Sequence, residues 1–280
     1  MNRKTCDYEL GFDKINKLID HGFNSSIGPG VMPIETRKNK LRGIIAPNFL
    51  KESSSAAFAW AYKEIAEAKM PETYVIIGRD FNAGNKFSTF LFSDWDTCIG
   101  SAKVDVLLGR KLIAGCPLLK NSFEAFNGNS FIDVHLPFLQ YANRNNLDRL
   151  RFLPILVGNV TYDEICDFAD VISDCSNICV VASAGLSYYG KEFDFMPFVH
   201  AVKQNLTAID HELLSFIKEV DVGKIMNTAL KRGAFDLNVI IFFMEIMKGF
   251  GLRKGKVLSY YNSGDFDGYD NAVGLGAVAF

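Results

Sequence analysis

The chain has 280 residues, of which 49% are apolar and 22% charged, ordinary usage for a folded protein and too apolar for a disordered one. Its 30 Lys and Arg against 32 Asp and Glu leave a formal charge of −2, which excludes nucleic-acid binding by bulk charge but not through a local basic patch. With 23 Gly and 8 Pro, a fibrous or linker-like chain is excluded too.

The first nine residues, Met1 to Glu9, carry charges where a signal peptide needs an unbroken apolar run. The most apolar stretch, Val239 to Met247, is far shorter than the ~20 residues that span a bilayer. A soluble, cytoplasmic protein with no membrane contact is the expectation. Six cysteines (Cys6, Cys98, Cys116, Cys166, Cys175, Cys179) are scattered and read as reduced thiols, not as a disulfide framework.

In chain order, short β-branched runs bounded by Gly, Pro or Asn predict strands at Leu41–Ala46, Tyr74–Gly78, Phe152–Gly158, Ile178–Ala182, Lys256–Tyr261 and Ala272–Ala279. Continuous apolar runs of this kind suit strands covered on both faces. Helices are predicted between them. Ser53-Ser54-Ser55 offers an N-cap for Ala56–Ala68, and Thr161-Tyr162-Asp163-Glu164 reads as a capping box opening a helix to about Ile172. Phe198–Lys218 carries an apolar stripe, and Leu237–Met247 is apolar nearly all round, as a buried helix is. Lys86–Ile99 reads as a β-excursion from the main sheet. The alternation predicts an α/β fold: a single three-layer α/β/α domain over 1–280 with a central, mostly parallel sheet.

Standard phosphate cradles are missing, and Gly274-Leu275-Gly276 lies in the last strand with no helix after it, so packing glycines are expected there. Histidines are few: His21, His135, His200 and His211. His135 shares a helical face with Phe131, Val134, Phe138 and Leu139, and the favoured reading is a hydrogen-bonded core histidine. Basic groups cluster at Arg37, Lys38, Lys40 and Arg42, at Arg144, Arg149 and Arg151, and at Lys248, Arg253, Lys254 and Lys256. A solvated face is the favoured reading, and a phosphate- or RNA-contacting patch the rival one.

Several segments form a recognisable set: Gly43-Ile44-Ile45-Ala46-Pro47 followed by Ser54–Lys63, then Ile132-Asp133-Val134-His135-Leu136-Pro137-Phe138-Leu139-Gln140, which is the most specific piece, and Leu153–Gly158. Ala208-Ile209-Asp210, Val257–Asp265 and Val273-Gly274 add to it. Together they resemble the MEMO family, also found as protein B of the AmmeMemoRadiSam system, whose fold is related to the class III extradiol dioxygenases. The likeness runs from about Leu41 to Phe280, and residues 1–40 form a divergent N-terminal segment.

The resemblance implies a metal pocket in many members, and this sequence departs from it there. Asn48 stands where the Ala-Pro loop would carry a histidine, and Phe81, after Gly78-Arg79-Asp80, stands at a second histidine position. Asn129-Ser130-Phe131 replaces a histidine-containing segment, the loop from Ser183 through Gly185 to Tyr188 lacks the Asp and His of its counterparts, and Arg232 falls in place of a cysteine ligand. Asn and Phe cannot stand in for imidazole, and Arg repels a cation. The expectation is a vestigial pocket of Asn48, Asp80, Phe81, Asn129, Ser130, His135, Gly185, Tyr188 and Arg232 with no catalytic group, metal or cofactor. The protein is then a pseudoenzyme that acts by binding a protein or a large assembly. Three alternatives are weighed: docking as an inhibitory or dormancy-type factor on a ribonucleoprotein such as the ribosome, a pocket in which Arg79 and Arg232 face a peptide or phosphopeptide, and a re-formed enzyme site using Asn48, Asp80, His135 and Arg232.

Overall fold

A computed structural model of the chain describes residues 2–5, 10–31, 40–82, 84–229 and 236–280. Cys6, Arg37, Lys38 and Arg232 lie outside the described residues. The strands are β1 (Arg3–Lys4), β2 (Gly43–Ala46), β3 (Thr73–Arg79), β4 (Phe87–Thr89), β5 (Trp95–Asp96), β6 (Ser101–Val104), β7 (Leu119–Asn121), β8 (Arg151–Val157), β9 (Ile178–Ser183), β10 (Tyr188–Gly190), β11 (Lys256–Asn262) and β12 (Asn271–Ala279). The helices are α1 (Phe12–Asn24), α2 (Glu52–Glu67), α3 (Val106–Gly115), α4 (Leu136–Ala142), α5 (Tyr162–Ser173), α6 (Val202–Lys218), α7 (Val222–Ala229), α8 (Leu237–Gly249) and the single turn α9 (Gly264–Asp267).

The strands join one mixed sheet in the order β1-β5-β6-β8-β3-β9-β2-β12-β10. From β6 to β2 every neighbour is parallel, as crossover connections through helices require. β12 then runs antiparallel to β2 and carries both β10 and β11. β4 lies antiparallel on the carboxyl half of β8, so the predicted β-excursion joins the main sheet's edge.

Alternate strand residues feed two separate cores, the direct consequence of a pleated strand covered on both faces. Ile44, Tyr74, Ile76, Phe152 and Val181 pack with α1, α2 and α4. Ile45, Val75, Ile77, Leu153 and Val180 pack with α3, α5, α6, α7 and α8. The three-layer α/β/α architecture expected from the sequence is the one observed.

Element ends differ in detail. Lys51, not a serine, precedes α2, because Ser54 Oγ accepts from the Lys51 amide at 2.9 Å and closes the first turn from inside. α6 begins at Val202, four residues later than predicted, since Phe198 leaves the helix to stack on Tyr189 with centroids 5.2 Å apart. The five described cysteines are free thiols. Gly274 is a packing glycine: a Cβ there would lie 2.0 Å from Asp210 Oδ2, an oxygen that already accepts from Ser187 Oγ and the Tyr260 hydroxyl.

Candidate functional site

In an open parallel sheet the loops leaving the carboxyl ends of the strands converge, and that is where ligands bind. Here those loops are the Asn48 turn after β2, the Asp80-Phe81 turn after β3 and the Ser183–Ser187 segment after β9. The first two turns, with Phe131, the stretch from Tyr188 to Phe193 that follows the third segment, and the connection between β11 and β12, line a cleft of about 730 Å³. Its walls include Phe49, Phe81, Phe131, Phe193 and Tyr188, with Arg79 reaching into it. Glu192, Asp267 and Asp270 stand on the rim, opposite Lys51.

A network that sequence reasoning missed forms the floor. The Asp236 side chain, fully buried just ahead of α8, meets three donors at a single oxygen. Asn48 Nδ2 donates to Asp236 Oδ2 at 2.8 Å, the Gly185 amide donates to it at 2.9 Å, and the Tyr188 hydroxyl donates to it as well. Asn48 Nδ2 also lies 2.7 Å from the Tyr188 hydroxyl. The other oxygen, Oδ1, faces Arg79 Nε at 3.9 Å. Burial pushes the Asp236 carboxyl above the usual carboxylate range, and Tyr188, Arg79 and the Gly185 amide pull the other way. Burial, and then the Asp236 charge, also raise the Tyr188 phenol. One signal in the sequence points to Asp236: it stands three residues ahead of the apolar run Val239–Met244, so it goes under with that helix.

Of the residues expected to share the pocket, Asn48, Phe81, Gly185 and Tyr188 come together. Arg79 joins them, its guanidinium 4.4 Å from the Phe81 ring centre and 5.6 Å from that of Phe131. Four others do not line the cleft. Asp80 Oδ1 accepts from the Asn82 amide at 2.8 Å and shapes its own turn. Asn129 braces the loop, donating to the Arg79 carbonyl at 2.8 Å and accepting from the Phe131 amide at 3.1 Å. Ser130 lines a separate, smaller cleft beside Arg3 and Asp133. His135 is fully buried in the core on the α2 side of the sheet, where Nδ1 meets the Tyr62 hydroxyl at 2.9 Å and Phe58 packs 5.0 Å away. Burial lowers its pKa to about 3, so it is a neutral core histidine, as the apolar face around it implied.

A transition-metal ion needs imidazole, thiolate or several carboxylates converging on one point. Among the described residues no three His, Cys, Asp or Glu side chains are grouped to hold one. At the cleft floor the one carboxylate is occupied by three protein donors and faces a guanidinium. The described residues at the cleft floor do not fit a metal ion.

Comparison with known proteins extends across the chain. A sequence model described as Memo-like protein matches residues 6–279. A MEMO1 family protein of Methanopyrus kandleri is 26% identical over 282 residues, covering 98% of this chain and 95% of its own length. Another, from Desulfurococcus amylolyticus, is 27% identical over 281 residues, covering 95% and 93%.

Proposed function

This chain belongs to the Memo-like protein family, and from that premise we propose that it is a non-catalytic binding protein, a pseudoenzyme on the family's scaffold that works by contact with other macromolecules in the cytoplasm. One observation carries the reading: at the cleft floor Asn48, Tyr188, the Gly185 amide and one Asp236 oxygen bond to one another, and the other Asp236 oxygen, which has no hydrogen bond, is turned toward the Arg79 guanidinium. Asp236 Oδ2 takes Asn48, Tyr188 and the Gly185 amide, and Oδ1 faces Arg79. An acid–base or metal centre needs at least one such group presented to a ligand in a labile state.

What the cleft presents instead is aromatic surface. Phe81 is 58% exposed and lies 4.6 Å from Phe131, centre to centre. Such walls suit an apolar side chain of a partner, and the acidic rim of Glu192, Asp267 and Asp270 favours a basic flank beside it.

The test is metal loading. Purified protein incubated with Fe(II), Cu(II) or Zn(II) and desalted should retain far less than one equivalent by elemental analysis. Stoichiometric retention that is lost in Asp236→Asn would overturn the proposal.

A further inference from the structure

The opposite end of the sheet carries a different surface. Described members of the three basic clusters are far apart in sequence, yet topology gathers Lys40 and Arg42, Arg149 and Arg151, and Lys254 and Lys256 along one edge. β2, β3, β8 and β9 are parallel, so their first residues lie side by side: Gly43 pairs with Val180, Thr73 with Ile178 and Tyr74 with Phe152. Lys103 of β6 pairs with Arg151 at the same edge. β12 is antiparallel and brings its last residues there, with Ala279 opposite both Ile44 and Lys256. The edge from β6 to β11 therefore spans seven strands, about 29 Å at the usual spacing.

Cations stand along that whole length. Arg149 and Arg151 lead into β8, Lys69 comes just before β3, Lys40 and Arg42 come before β2, and Lys254 comes before β11. Lys40, Lys69, Arg149 and Lys254 are exposed, and none is ion-paired to a carboxylate among the described residues. The two half-buried arginines are held in place by neutral groups. Arg42 Nη1 donates to the Ser176 carbonyl at 2.8 Å and its guanidinium lies 4.7 Å from the Phe250 ring centre. Arg151 Nη1 donates to the carbonyls of Asp148 and Leu150 at 2.9 and 3.0 Å. Between Lys69, Arg149 and Arg151 opens a cleft of about 720 Å³.

Carboxylates are present but mostly engaged. Asp105 accepts from the Thr73 hydroxyl and the Leu108 amide, and Glu64 lies 3.4 Å from Lys256. Exposed acids close by include Glu72, Asp148 and Asp174. In a protein of net charge −2, so many cations on one edge leave the rest of the molecule acidic.

We propose that this edge binds the phosphate backbone of single-stranded RNA. Protein–protein interfaces are depleted of charge at their centres, whereas nucleic-acid interfaces are strongly positive throughout. A strip of cations about 29 Å long fits the second kind, and the cleft beside Lys69 adds apolar lining from Met70, Pro71, Val104, Val106 and Leu107. The cations follow the ends of seven neighbouring strands in a row, a linear track that favours a single strand lying along it. The proposal deepens the surface-binding role and fails separately from it: a metal-loaded cleft would sink the pseudoenzyme reading and leave RNA binding untouched.

Fluorescence anisotropy with a labelled oligouridylate of about 20 nucleotides tests it, at salt concentrations from about 50 to 200 mM. Contact with roughly five phosphates gives a slope of log K against log salt near −3.5. The double variant Lys69→Glu/Arg149→Glu should bind at least tenfold more weakly with a shallower slope, and Lys40→Glu/Lys254→Glu should repeat the loss from the other half of the strip. Lys191→Glu, at the opposite end of the sheet, should stay within about twofold of the parent. No binding at about 50 mM salt, or binding that both double variants leave unchanged, would overturn the proposal. So would polyglutamate or phosphatidylserine vesicles bound as tightly as the RNA, which would assign the edge to an acidic protein or to a membrane.

Discussion

A buried imidazole is tolerated only while it is neutral, and His135 makes the pH dependence of this protein calculable at one site. Its folded-state pKa is lowered from 6.5 to about 3 by desolvation. The unfolded chain therefore takes up a proton near pH 6.5 that the folded chain refuses until about pH 3. The stabilisation from the neutral ring is fully present above the unfolded value and is lost as pH falls through the interval between the two. That slope is about 1.4 kcal/mol per pH unit for one proton. Urea unfolding of the parent and of His135→Asn at pH 7, 6, 5 and 4 should show the variant less stable at pH 7 but with a shallower decline below pH 6. Parallel declines would mean that His135 is not the titrating group. The same residue shows how much of a site can be read from sequence. An imidazole flanked by Val134, Phe138 and Leu139 on a helical face is legible as core. The Asp236 network was not legible, because Asn48 and Asp236 are 188 residues apart and only the convergence of two loops joins them.

At the scale of elements, local signals decide where a helix starts when the signal is a side chain bonded to nearby backbone. The capping box at α5 is formed in both directions: the Thr161 amide donates to Glu164 Oε2 at 2.8 Å and the Glu164 amide donates to Thr161 Oγ1 at 3.3 Å. The Thr161 amide, and after it Lys86 at 3.0 Å, holds the Glu164 carboxyl below the usual range. Thr161→Ala should cost about 1 kcal/mol in chemical denaturation and Thr161→Ser much less, since serine keeps the acceptor. Equal losses in both variants would show that the methyl, not the cap, matters. The α6 start was misread for the converse reason. Its apolar stripe continues back to Phe198 in sequence, but no cap residue marks the boundary, and a tertiary contact with Tyr189 decides where the chain leaves the helix. The six predicted strands were legible to within two residues because continuous β-branched runs bounded by turn residues have few other uses, whereas the short β1, β6, β7 and β10 carry no such run and were not predicted. Their order and direction were not, since pairing between β12 and β2 joins segments more than two hundred residues apart.

For the whole molecule, the sheet works as a spacer between two unlike surfaces. One end carries the aromatic cleft with its acidic rim, and the other carries the basic strip. The clusters of lysine and arginine could be counted in the sequence, but their alignment could not, because it depends on β11 and β12 returning antiparallel along β2. From Arg42 to Asn48 the chain runs six residues along β2 and past its end, roughly 20 Å. Between them lies a close-packed sheet in which every residue of β2 and β9 is buried, and coupling across it would need an element with two arrangements. The two ends should therefore be energetically independent. Arg42→Ala, which removes the bond to Ser176 and the packing on Phe250, should cost about 1 kcal/mol. Asp236→Ala strands the Asn48, Tyr188 and Gly185 donors and leaves Arg79 without its counter-charge, at roughly 3 kcal/mol. Denaturant unfolding of both single variants and the double should give additive losses to within about 0.5 kcal/mol. A coupling above about 1 kcal/mol would show that the sheet transmits strain from one end to the other, and the two surfaces would then have to be treated as one linked system.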